Sequence, residues 1–175
     1  CQALVDSVRE KSSLKTAGEL QAHALDALDV EATKALIAQT QSQIVINVGS
    51  AFINMSVLQA CIEAGVAYLD TAKICETPPW YANYEWKRRE LCAANKVTAI
   101  LGIGFDPGVV NAYASIAVNE YFDSVDEIDI IDINAGSHGK YFATNFDPEI
   151  NFREFTGQVW SWQNSQWTSN QMFEV

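Results

Sequence analysis

The chain has 175 residues, 49% of them hydrophobic and 19% charged, a composition typical of a globular protein with a sizeable core. Its net charge of −11 argues against nucleic acid as a partner. No apolar run reaches the length of a membrane helix and no signal peptide opens the chain, so we expect no membrane partner and a cytoplasmic protein.

The four cysteines predict reduced thiols rather than a disulfide framework. None of them forms a C-x-x-C spacing. Free thiols in a cytosolic protein are the simplest account of this pattern, and no metal site is expected.

Strands and helices alternate along the first two thirds of the chain. Periodic apolar residues predict helices at 2–12, after the capping residue Asp29, and at 54–64, 82–95 and 109–122. Strands are predicted at 20–25, 44–48, 66–69 and 97–103, the second and fourth of them buried. Four alternations at short spacing are typical of a parallel, doubly wound α/β sheet of the Rossmann type.

The pattern changes near residue 110. A strand at 127–134 leads into an irregular segment with glycines, and residues 158–168 predict a β-hairpin. We therefore expect two domains: residues 1–110 are the remainder of the α/β domain, and residues 111–175 begin an α+β domain.

The two ends of the chain predict that it is a piece of a longer protein. Cys1 opens within a helical pattern, and Val175 ends a strand-like run without a turn. A Rossmann domain also needs G-x-G-x-x-G after its first strand, and the segment Gly102–Gly108 places its last glycine one residue late. We expect the first strand and its phosphate-binding loop to precede Cys1.

A tight turn follows the strand at 97–103. In Asp106-Pro107-Gly108, proline presets φ at one corner and glycine accepts a left-handed conformation at the next. A helix begins directly after it. Ligands of open α/β sheets bind at the carboxyl edge of the strands, so this turn is a candidate part of a site.

Small polar residues follow three other predicted strands. Asp26 ends the first, Gly49-Ser50 the second and Asp70-Thr71 the third. One such residue often serves only a tight turn, whereas three at one sheet edge favour a cofactor site.

The second domain carries its own candidates. His138, between glycines, would donate or accept a proton near neutral pH, or it is a loop histidine without a role. Lys140 and Arg153 would hold a substrate carboxylate, or they are exposed cations. Residues 142–151 would form a substrate loop, or only a capped connection.

Four motifs together resemble the saccharopine dehydrogenase-like family, and within it the polyamine-forming branch. They are Tyr68-Leu69-Asp70-Thr71, Gly104-Phe105-Asp106-Pro107-Gly108-Val109-Val110-Asn111, Ile131-Asp132-Ile133-Asn134-Ala135-Gly136-Ser137-His138-Gly139-Lys140 and Phe142-Ala143-Thr144-Asn145-Phe146-Asp147-Pro148-Glu149. Ser137 stands where the family motif has Asp, which weakens a role for this position in binding a diamine.

The resemblance implies an oxidoreductase that uses NADP. L-aspartate 4-semialdehyde and 1,3-diaminopropane, or putrescine, would form an imine that NADPH reduces to carboxynorspermidine, or carboxyspermidine. The resemblance also implies a Rossmann domain, a substrate domain and a homodimer. Another family member acting on a diamino acid, or a non-catalytic fragment, are the alternatives.

Combining the resemblance with the residue patterns gives one candidate site. The catalytic residues would be His138 and Asp106. The substrate-binding residues would be Asn134, Lys140, Asn145 and Arg153. The cofactor-binding residues would be Asp26, Gly49, Ser50, Asp70 and Thr71.

Overall fold

The structure is a computed structural model that describes residues 1–11, 20–72, 84–131, 139 and 148–171, without the side chains of 153–155. The helices are α1 (Gln2–Lys11), α2 (Val30–Thr40), α3 (Asn54–Ala64), α4 (Arg89–Ala94), α5 (Val109–Ile116) and α6 (Pro148–Thr156). The strands are β1 (Ile44–Asn47), β2 (Ala67–Asp70), β3 (Ala99–Ile100), β4 (Gln158–Gln163) and β5 (Gln166–Gln171). Short 3₁₀ turns cover Ala51–Ile53 and Trp86–Arg88, and a π-helical turn covers Ala117–Tyr121.

Strands β1, β2 and β3 form a parallel sheet in that order. Helix α3 packs on β1 and β2, and α2 packs on α3. The core between these helices and the sheet is formed by Ile37, Val57, Leu58, Ala60, Cys61, Ile62, Tyr68, Cys92 and Val97. The predicted α/β class with a parallel sheet is confirmed.

Helix α2 begins directly after Asp29, the residue predicted to cap it. The Asp29 carboxylate accepts a hydrogen bond from the Ala32 N–H at 2.9 Å, which satisfies one of the backbone donors left free at a helix start. Helix α3 ends as its glycine predicts, because Gly65 takes a left-handed φ of 70°.

We expect Asp29→Ala to lower the free energy of unfolding by about 1 kcal/mol, because the Ala32 N–H loses its partner. Asp29→Ser keeps an oxygen acceptor at the cap and should retain most of the stability. Urea unfolding followed by circular dichroism measures both variants. Equal losses for alanine and serine would show that the cap does not stabilise α2.

The predicted strand at 20–25 is wrong. Residues 20–26 contain no strand, and a turn at Ala27-Leu28 follows them. Alternation of apolar and polar residues specifies only which side chains share a face, and a strand also needs a neighbour for its backbone. In the described part of the chain, no strand pairs with this segment.

The predicted strand at 97–103 is shortened to β3. The chain leaves the sheet because Gly102 adopts a φ of 63°. The N–H groups of Gly102 and Ile103 then donate to the side chain and the carbonyl of Asp70. The prediction that this strand is buried on both faces is also wrong, since Ile100 and Ile103 are exposed. The strand predicted as buried at 44–48 is likewise exposed on one face, at Ile44 and Ile46.

The remaining elements differ from their predictions mainly in length. The described part of the helix predicted at 82–95 is a 3₁₀ turn followed by α4. The helix after Gly108 reaches Tyr121 through its π-helical turn. Residues 127–131 form no strand, and the rest of that predicted strand lies outside the described residues.

The hairpin is confirmed as the antiparallel pair β4–β5. Its two-residue turn, Asn164-Ser165, has positive φ at both positions, which is the type I′ geometry that suits twisted strands. Trp162 and Trp167 face each other across the strands with ring centroids 5.3 Å apart.

Candidate functional site

The carboxyl ends of β1, β2 and β3 lie at one edge of the sheet, because the three strands are parallel neighbours. Gly49-Ser50 follows β1, Asp70-Thr71 ends β2, and Gly104 follows β3. The predicted topology, with these residues at one sheet edge, is confirmed. A cleft shared by all of them stays a prediction.

Gly49 and Ser50 form an open turn between β1 and α3. The Gly49 N–H donates to Asn47 Oδ1 at 3.1 Å, and Ser50 Oγ accepts from the Phe52 N–H at 3.4 Å. A Cβ on Gly49 would approach Ile53 Cδ1 to 3.1 Å. Gly49 is exposed and Ser50 is half-buried at this edge of the sheet, and their contact with the cofactor stays a prediction.

Asp70 is fully buried at the end of β2. Its Oδ1 accepts a hydrogen bond from the Gly102 N–H at 2.5 Å, and its carbonyl accepts from the Ile103 N–H at 2.9 Å. The side chain therefore holds the end of β2 to the segment after β3. Direct contact between Asp70 and the cofactor stays a prediction.

The turn after β3 is packed against Thr71. Gly104 donates its N–H to the Pro107 carbonyl at 2.9 Å, and a Cβ on Gly104 would lie only 2.1 Å from the Thr71 carbonyl oxygen. Gly108 has a φ of 135°, so a positive φ at this glycine is confirmed. Asp106 lies exposed on the turn, where solvent or a ligand can reach its carboxylate.

Asp26 does not end a strand. Its Oδ1 accepts from the Leu28 N–H at 3.0 Å, and its carbonyl accepts from the Asp29 N–H. The residue thus stabilises the turn before α2. Its predicted contact with the cofactor remains untested.

The candidates of the second domain lie mostly outside the described residues. Asn134, His138, Lys140 and Asn145 lie outside the described residues. Arg153 lies in α6, and its side chain is not described. The predicted substrate loop at 142–151 is partly helical, because α6 begins at Pro148, and residues 142–147 lie outside the described part.

Three buried polar residues at the sheet edge were missed by sequence reasoning. Asn47, Asn54 and Glu85 are nearly inaccessible to solvent, and Asn54 hydrogen-bonds to each of the other two. The available signal was an asparagine directly after the β-branched residues of β1. Nothing in the sequence linked it to Glu85.

Two other buried groups are unsuited to chemistry near neutral pH. Burial raises the pKa of the Cys61 thiol to about 12, so it stays protonated in the core. Burial likewise raises the pKa of the Tyr68 hydroxyl, which lies near Asn47 and Asp70.

A groove of about 650 Å³ lies beside β1. Its lining includes Gln21, His23, Leu25, Ile37, Val45 and Val57. Of the residues predicted to bind the cofactor, none lines this groove. Within the described ranges, no helix is long and apolar enough to cross a membrane, and no group of three His, Cys, Asp or Glu side chains could hold a metal ion.

Three proteins of known name are similar in sequence to this chain. The chain is 43% identical over 174 residues to "Carboxynorspermidine synthase" of Vibrio alginolyticus and 39% identical over 175 residues to that of Vibrio cholerae, in each case over 95% of this chain and 42% of the relative. It is 42% identical over 137 residues to "Carboxyaminopropylagmatine dehydrogenase" of Synechocystis, which covers 76% of this chain and 34% of that relative. The chain therefore spans less than half the length of these relatives.

A solved structure and a protein family also match. Apo histidine-tagged saccharopine dehydrogenase (L-Glu forming) from Saccharomyces cerevisiae is 21% identical with a TM-score of 0.47, over 57% of this chain and 20% of that chain, a likeness too low to support an argument. Residues 1–100, more than half of the chain, match the family "Saccharopine dehydrogenase NADP binding domain". The chain belongs to the saccharopine dehydrogenase family, and its residues 1–100 match the NADP-binding domain of that family.

Proposed function

We propose that the chain is part of an enzyme that condenses L-aspartate 4-semialdehyde with a diamine and reduces the product with NADPH. The observation that carries this proposal is the identity of 43% and 39% to two carboxynorspermidine synthases over nearly the whole chain. That identity continues past residue 100, where the match to the NADP-binding family ends. It therefore includes residues that we assign to substrate binding.

The reaction has two steps. The amine adds to the aldehyde carbon and water leaves, which forms an imine; a hydride then joins the imine carbon and a proton joins the nitrogen, giving a secondary amine. NADPH supplies the hydride when it is bound. In our proposal, His138 moves the proton, and Arg153 and Lys140 hold the carboxylate of the aldehyde.

The amine would bind through its positive charge. Asp106 lies exposed on the turn between β3 and α5, where it can face an ammonium group. The net charge of −11 on these 175 residues favours the approach of polyamines. Asn134 and Asn145 complete the substrate site in this proposal. Gly49-Ser50, Asp70-Thr71 and Asp26 belong to the cofactor side.

The identity of the amine is a separate question. The relative from Synechocystis is named for carboxyaminopropylagmatine and is 42% identical over 137 residues. This match favours agmatine as a third candidate amine beside 1,3-diaminopropane and putrescine. All three would enter the same condensation through a primary amino group.

The experiment is an assay of the full-length protein with aspartate semialdehyde and each amine in turn, following the loss of NADPH absorbance. We expect oxidation of NADPH with at least one of the three amines and none without the aldehyde. Lysine tests the rival function in which a diamino acid is the substrate. Two results would contradict the proposal: oxidation of NADPH with lysine but with none of the three amines, or oxidation of NADPH when no amine is present.

The exposed face of β1 and its place at the edge of the sheet support the proposal that the chain is part of a longer protein. Strands of parallel sheets are normally covered on both faces, yet Ile44 and Ile46 are 52% and 58% exposed. Among the described residues, β1 pairs only with β2. In our proposal, further elements of the full-length protein cover this face of the sheet.

We expect the 175-residue piece to bind NADPH at least tenfold more weakly than the full-length protein. A helix N-terminus and its glycine loop normally bind the phosphates of a dinucleotide, and the sequence of the piece has no such loop. Fluorescence titration with NADPH measures both affinities. Equal dissociation constants would show that the phosphates bind within the 175 residues.

The domain division near residue 110, assembly as a homodimer and a cytoplasmic location are parts of the same proposal. The change of pattern after the helix that begins at Val109 supports the division. Analytical ultracentrifugation of the full-length protein would establish its oligomeric state.

A further inference from the structure

A chain of buried hydrogen bonds runs from the turn after β1 to Glu85. The Gly49 N–H donates to Asn47 Oδ1 at 3.1 Å, and Asn47 Nδ2 donates to Asn54 Oδ1 at 2.8 Å. Asn54 Nδ2 then donates to Glu85 Oε1 at 3.1 Å and to the Ala72 carbonyl at 2.7 Å. Every donor points towards Glu85, and such aligned bonds polarise and strengthen one another.

The common direction of these hydrogen bonds determines where the amide nitrogen and oxygen of Asn47 and Asn54 lie. A carboxylate and a carbonyl only accept hydrogen bonds, so Asn54 must point its amide nitrogen at Glu85 and Ala72. Its oxygen then faces Asn47. The amide nitrogen of Asn47 must turn to that oxygen, which leaves the oxygen of Asn47 facing the Gly49 N–H.

A buried carboxyl group at Glu85 lowers the stability of the fold if its only role is to fill space. Glu85 is 4% exposed, and its Oε2 has no hydrogen-bond partner among the described residues. A buried carboxyl group with an unsatisfied oxygen destabilises a fold relative to an apolar side chain of similar size. We therefore look for the role of Glu85 in the orientation that it imposes on the Asn54 and Asn47 side chains.

We propose that Glu85 is a positioning residue for the cofactor: through Asn54 and Asn47 it holds the Gly49-Ser50 turn in the orientation that receives NADP(H). This inference rests on the proposed contact of Gly49 and Ser50 with the cofactor. It adds a residue that is 36 positions from Gly49 in the sequence and is joined to it by three hydrogen bonds.

The test is NADPH binding to variants of the full-length protein, measured by fluorescence titration without substrates. Glu85→Leu removes the acceptor, and Glu85→Asp keeps the carboxyl group but is too short to hold the bond to Asn54. We expect both to weaken binding by about tenfold, as loss of an outer hydrogen-bond partner does at metal sites. Glu85→Gln keeps an acceptor oxygen and should stay close to the wild type. Glu63→Leu, at an exposed glutamate paired with Lys34, is the matched control and should leave affinity unchanged.

Hydrogen exchange without cofactor separates positioning from general stability. We expect faster exchange in Glu85→Asp for the peptide covering residues 47–53, with unchanged exchange in α2. A lower melting temperature with unchanged NADPH affinity would overturn the proposal, as would a wild-type protein that binds no NADPH. Because substrates are absent, the result does not depend on which amine the enzyme uses.

Discussion

Gly104→Ala is expected to destabilise the protein strongly. A Cβ at this position would lie 2.1 Å from the Thr71 carbonyl oxygen and 3.3 Å from that of Pro107. Both neighbours are backbone atoms, which cannot rotate away as a side chain does. We expect the free energy of unfolding to fall by about 3 kcal/mol or more.

Urea unfolding measures this loss, and a thermal melt should show a drop of about 6–12 °C. Gly65→Ala is the matched control. Gly65 has a φ of 70°, and nothing lies within 4 Å of where its Cβ would be. Only the left-handed conformation is penalised there, at roughly 1–2 kcal/mol. Equal losses at the two glycines would contradict the close packing at Gly104.

The packing at Gly104 also gives a physical account of the Gly-Phe-Asp-Pro-Gly motif. The first glycine lets the turn after β3 approach the end of β2. The last glycine, Gly108, would place a Cβ 2.2 Å from the Gly104 carbonyl oxygen. Both glycines are therefore required for the turn that carries Asp106 at the sheet edge.

Asp70→Ala is expected to cost about 1.5–3 kcal/mol of unfolding free energy. The substitution removes the acceptor for the Gly102 N–H, and Gly102 is buried, so no water replaces the lost bond. Asp70→Asn retains an oxygen that can accept this bond, and we expect a smaller loss. Urea unfolding of the two variants compares them directly.

Asp123→Ala is the control for the Asp70 variants, because Asp123 is exposed and the change should stay within about 0.5 kcal/mol. An Asp70→Ala variant as stable as this control would show that the bond to Gly102 does not hold β2 to the segment after β3. Loss of NADPH binding in Asp70→Asn without loss of stability would instead support direct contact with the cofactor.

The sequence by itself determined helix ends and turns whose stabilising contacts lie within a few residues. The end of α3 at Gly65, the cap of α2 by Asp29 and the hairpin turn at Asn164-Ser165 all follow from interactions within a few residues. The alternation of strands and helices also determined the parallel sheet, since parallel strands need a long crossover between them.

Only the tertiary structure decided what depends on a distant partner. Residues 20–25 have the alternation of a strand but no neighbour to pair with in the described chain. β3 ends early because Gly102 bonds to Asp70, which lies 32 positions away. The bond between Asn54 and Glu85 spans 31 positions. Hydrogen bonds of this kind join residues that are distant in the sequence, so no local pattern encodes them.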